Sequence, residues 1–99
     1  MSGGSFARSL ATLYDSATSG NGAAVFLDGR YYQTVSFTVH VVAVNAADSL
    51  QLQGSIDGSN WFNIGSAITT AQGVNITTPA RAYRIVKTGT AGVATVLIY

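Results

Sequence analysis

From residue 22 onward the chain never sustains a helical period. Apolar residues alternate with polar ones or gather in short β-branched blocks, and Gly, Asn, Asp and a single Pro cut the blocks apart. This pattern excludes helices there and predicts strands over 24–28, 33–44, 49–56, 60–64, 73–77, 82–87 and 93–99. Seven or eight short strands in about 80 residues, separated by turn signals, predict an all-β fold: two antiparallel sheets packed as a β-sandwich or jelly roll. At 99 residues the chain makes one small domain.

The first 22 residues read differently. Segment 9–14 has strand-like composition, but Ser16-Ala17-Thr18-Ser19-Gly20-Asn21-Gly22 reads as a flexible linker. Fixing about 20 such residues costs on the order of 20 to 40 kcal/mol of backbone entropy, which a few small side chains do not offset. One reading is therefore an extended N-terminal arm and linker over 1–22, ordered on a partner surface, ahead of a sandwich domain over 23–99. In that reading Phe6, Leu10, Leu13 and Tyr14 supply contact area. The other reading is an ordinary first strand followed by a long loop.

Charge is scarce. Charged residues make up 9% of the chain while apolar residues make up 47%, so the exterior must be built from Ser, Thr, Gly, Asn and Gln. Five basic and four acidic groups give a net charge of +1, too weak a field to hold nucleic acid. The longest apolar runs, Val41-Val42-Ala43-Val44 and Val96-Leu97-Ile98-Tyr99, fall far below the roughly 20 residues a membrane helix needs. No membrane contact and no export by a signal peptide are expected. Without cysteine, neither disulfides nor thiolate metal sites can form.

An enzyme needs a constellation of groups, and few parts are present. His40 is the only histidine and sits in mid-strand, while Asp15, Asp28, Asp48 and Asp57 all fall in expected turns or loops. No catalytic residue, metal or cofactor is expected. Asp57-Gly58-Ser59-Asn60, flanked by Ile56 and Trp61, is the sharpest local signal and should close a hairpin through its own side-chain bonds. One carboxylate there offers little to calcium, which wants six to eight oxygens. Trp61 and Phe62 point to opposite faces, so one should be core and the other should approach the surface. Arg81 and Lys87 alternate to one face and Arg84 to the other, placed to pair with turn aspartates or an acidic neighbour.

Two strands carry apolar residues on both faces. In the long strand, Val35, Phe37, Val39, Val41 and Ala43 form the core side, yet Val42 and Val44 make the opposite side apolar too. The C-terminal run through Leu97 and Tyr99 repeats the pattern. Such stretches suggest cover by a neighbouring element or a neighbouring chain. With no Glu, one Lys and one Pro, the sheet edges also lack the residues that discourage edge pairing. Val42, Val44, Leu97 and Tyr99 are thus interface candidates, and Tyr31 and Tyr32, beside the Asp28-Gly29 turn, are candidates for surface contact.

The stretch Gln51-Leu52-Gln53-Gly54-Ser55-Ile56-Asp57-Gly58-Ser59-Asn60-Trp61-Phe62-Asn63-Ile64-Gly65, followed by Pro79-Ala80-Arg81-Ala82-Tyr83-Arg84-Ile85-Val86, resembles the small β-sandwich proteins of tailed-bacteriophage virions. The same Ser-x-Asp-Gly-x-x-Trp hairpin is similar to that of discoidin-like carbohydrate-binding jelly rolls, although this chain is shorter and lacks the cysteine pair many of those carry. The likeness covers about the C-terminal half. Resemblance to the virion group implies a structural protein at the capsid surface: a decoration or cement protein, self-associating as a homotrimer and contacting the major capsid protein. A tail, neck or baseplate component and a carbohydrate-binding module are the alternatives.

Overall fold

Within β5 (Ser49–Ser55) and β8 (Ala82–Thr88), every second side chain faces inward. Leu50 and Leu52 lie beside Lys87 and Ile85, and Gly54 beside Tyr83, in one antiparallel register. The computed structural model describes residues 11–26, 37–78 and 80–98. The other strands are β1 (Ala11–Ser16), β2 (Gly20–Asn21), β3 (Val25–Phe26), β4 (Phe37–Ala43), β6 (Phe62–Asn63), β7 (Gln72–Ile76) and β9 (Ala94–Ile98). One sheet runs β1-β9-β4-β7. The other runs β2-β8-β5-β6, with β3 pairing β8 on the same side as β2.

All pairings are antiparallel, and the two sheets pack as a β-sandwich. Val39 and Val41 of β4 pair with Ile98 and Val96 of β9. All four are buried, together with Leu13, Leu50, Leu52, Ile76, Tyr83 and Ile85. Each such side chain stabilises the fold by about 1.5 to 3 kcal/mol through burial alone. At the crossing from β7 to β8, Tyr83 donates its hydroxyl to the Thr78 carbonyl at 2.6 Å. The bond ties the start of a strand to the backbone of the preceding turn, as a tyrosine corner does. Burial pushes the Tyr83 hydroxyl pKa up.

The structure corrects the arm reading for the residues it describes. Residues 11–16 form the edge strand of the four-stranded sheet, paired to β9. Leu13 and Tyr14, expected at a partner surface, are 2% and 7% exposed in the chain's own core. A bulge between Thr12 and Tyr14 is the reason: it breaks alternation, so both large side chains turn inward. The segment 16–22 that reads as a linker is tied down as well. Tyr14 donates to the Thr18 carbonyl at 2.5 Å, and the Gly22 amide donates to the Ile85 carbonyl at 2.7 Å. A Cβ on Gly22 would lie 2.6 Å from the Tyr14 ring, so the chain can pass there only as glycine. The sandwich therefore includes residues 11–22 and does not begin at residue 23.

A second bulge, between Val41 and Ala43, shifts the phase of β4. Ala43 becomes exposed, and Val44, expected on the outer face, packs against the core. Val42 stays outside, 45% exposed.

Candidate interaction surfaces

Two broad outer faces and one buried ion pair hold the polar chemistry of the described residues. Lys87 pairs with a turn aspartate, as expected from the sequence, but the burial of the pair was not legible there. Lys87 faces inward from β8, its Nζ 3.1 Å from Asp48 Oδ2, with the two side chains 0% and 1% exposed. Nζ also donates to the carbonyls of Ala17 at 3.1 Å and Gly89 at 2.5 Å, so all three N–H groups are used. Asp48 accepts from the amides of Ala91 and Gly92 at 3.0 and 3.1 Å. The Ala91 amide first, with help from Lys87 and Gly92, holds its carboxyl below the usual range. This environment favours the carboxylate form of Asp48, and every N–H of the Lys87 amino group is committed to a bond within the fold. The pair joins three turns at one end of the sandwich.

Asp57 is likewise consumed locally. Its Oδ1 accepts from the amides of Ser59 and Asn60, each at 2.8 Å, and from Ser55 Oγ at 3.1 Å, while Oδ2 accepts from Asn60 Nδ2 at 2.7 Å. These bonds, the Asn60 amide foremost, hold the carboxyl well below the usual carboxylate range. Gly58, at φ +81°, sits against the Phe26 ring. The turn between β5 and β6 thus spends its carboxylate on its own backbone.

On the outer face of the five-stranded sheet, Arg84 lies over the Trp61 ring, 4.2 Å from its centre. Its Nε donates to Gln53 Oε1 at 2.8 Å, and Gln53 Nε2 donates to Asn63 Oδ1 at 2.9 Å. Neither aromatic of the Trp61-Phe62 pair is core, contrary to the expectation that one would be. Trp61 is half-buried by Arg84, and Phe62 is 37% exposed, close to the inward-facing Gly54 on a two-residue edge strand. Too few residues follow in β6 to cover it. Arg81 precedes β8 instead of sharing Lys87's inward direction, and its guanidinium lies 6.0 Å from the Phe26 ring centre. Phe26 itself is half exposed.

The outer face of the four-stranded sheet carries Thr12, Asp15, Thr38, His40, Val42 and Leu97. Asp15 and His40 are its only ionisable side chains among the described residues. Asp15 accepts a hydrogen bond from Thr95 Oγ1 at 3.2 Å and makes no ion pair. Leu97 is half-buried between Thr12 and His40. At the edge of the sheet, β7 reads Gln-Gly-Val-Asn-Ile, with neither charge nor proline. Among the described residues no three His, Asp or Glu side chains converge as a metal site would need.

Of the residues singled out in the sequence, Val42 and Leu97 fall on one face, whereas Leu13, Tyr14 and Val44 belong to the core or its margin. Phe6, Leu10, Tyr31, Tyr32 and Tyr99 lie outside the described residues. Compared with protein-family models, with curated proteins and with solved structures, the chain matches none.

Proposed function

We propose that this chain is a non-enzymatic structural protein of a tailed-phage virion, a capsid decoration protein that binds copies of itself and the major capsid protein. The observation that carries the reading is the outer face of the four-stranded sheet. Val42 and Leu97 lie there among threonines with a single carboxylate, beside an edge strand that bears no charge or proline. Such a surface gains by being covered, and a second copy of the chain offers that cover. The virion assignment draws its support from the resemblance of residues 51–65 and 79–86 to phage sandwich proteins.

Native mass spectrometry of the full chain, with co-sedimentation on purified capsids and on purified tails, tests the proposal. Oligomers, a trimer foremost, together with saturable binding to capsids support it. A strict monomer that pellets with neither particle overturns it, and binding to tails alone moves the protein to a tail or baseplate site.

A carbohydrate-binding module is a second reading, favoured by the Trp61–Arg84 stack with the exposed Phe26 nearby, since aromatic rings on a rigid sheet can stack on sugars. Specific glycan-array hits that disappear in Trp61→Ala would establish it in place of the first.

A further inference from the structure

Charge in this chain is so sparse that each described group can be followed to its partner. Asp48 and Lys87 neutralise one another inside the sandwich. Asp57 is spent on its own turn, and Arg81 is engaged within the chain. Two opposite charges remain without an ion pair: Arg84 on the outer face of the five-stranded sheet and Asp15 on the outer face of the four-stranded sheet. They stand on opposite sides of the sandwich, so one copy cannot join them.

We propose that copies of this chain associate head to tail, with Arg84 of one copy meeting the partner subunit's Asp15. The proposal rests on the self-association reading above and adds which surfaces meet. Arg84 is preorganised for the contact. Trp61 and Gln53 already hold its guanidinium, so little side-chain entropy remains to be lost on binding. Its Nη groups make no hydrogen bond among the described residues, and a guanidinium fork matches a carboxylate in two parallel hydrogen bonds. The surroundings suit burial on both sides: Trp61, Phe26 and half-buried Val86 on one, Leu97 and Val42 on the other. A contact between two different patches is heterologous, and it closes into a ring when the rotation between copies divides a full turn. Asp15 lies on β1, the edge strand of its sheet, where a neighbouring copy can reach it.

Charge reversal in the full chain tests the contact. Association constants are measured by sedimentation equilibrium for the wild type, Asp15→Arg, Arg84→Glu and the double reversal, with thermal melts to establish folding. Each single reversal should weaken association at least about tenfold, and the double should return to within about threefold of wild type. Raising salt from about 0.05 to about 1 M should weaken the wild type and leave the single variants less affected. Should Arg84→Glu fail to fold, Asp15→Arg at an exposed position and its salt dependence carry the test alone. An assembling wild type whose association ignores Asp15→Arg, or a folded double variant that does not recover, overturns the proposed contact and leaves self-association standing. A wild type that never associates overturns both.

Discussion

Lys87 Nζ and Asp48 Oδ2 sit 3.1 Å apart with neither side chain open to solvent, an ion pair enclosed at one end of a sandwich that has few other charges. A buried pair of this kind holds geometry more than it adds net stability, because taking two charges out of water offsets much of their attraction. Breaking it is another matter. Lys87→Met should destabilise the fold by about 3 to 5 kcal/mol, since it strands the carboxylate and two carbonyls. The double change Lys87→Met with Asp48→Leu should recover much of that loss. Urea denaturation midpoints of the three proteins check the expectation, and a double variant less stable than Lys87→Met would contradict it.

Asp48 and Asp57 both have folded pKa values below those of the unfolded chain. Their contribution to stability is therefore complete above the unfolded carboxylate pKa of about 4 and is lost as pH falls through the lowered folded values. Unfolding free energy should be flat with respect to these two groups from about pH 5 to 7 and should decline below about pH 4. Asp57→Asn should make the acid limb shallower. A chemical-denaturation series between pH 2 and 7 reads the slopes.

Gly89 has φ +100°, and a Cβ there would collide with Asp48 Oδ1. Gly89→Ala would thus strain the backbone and push on the buried carboxylate together. We expect a loss of at least about 2 kcal/mol. Gly73 provides the control, because a Cβ at that position meets no atom within 4 Å. Gly73→Ala should change stability by no more than about 0.5 kcal/mol. Thermal melts of both variants separate local strain from a general intolerance of change.

Trp61 is the single tryptophan, and the guanidinium stacked on it makes its emission a reporter of that contact. Arg84→Ala should shift Trp61 fluorescence to longer wavelength by admitting water to the ring, and should cost about 0.5 to 1 kcal/mol. An unchanged spectrum would mean that Arg84 does not cover the indole in solution.

Strand positions were legible because alternation with period two is a local property. Val39 and Val41 are core residues that a reading of neighbouring residues alone picks out. The turn at Asp57 was legible for the same reason, since its bonds span three residues at most. The fate of residues 11–22 was not. Their order depends on β9 and β8, far along the chain, and local composition carries no record of those partners.

What the sequence determined by itself is the class of fold and the poverty of charge: alternation and residue count need no partner to be read. Tertiary structure alone decided where two bulges would reverse the alternation, bringing Leu13 inward and moving Val44 from the expected interface to the margin of the core. It also decided that Lys87 would face inward to meet Asp48, and that Arg84 and Asp15 would be left on opposite faces. A bulge is set by the register of the strand alongside, and a charge is satisfied or left over only once distant turns have closed. Both are properties of pairing between segments remote in sequence.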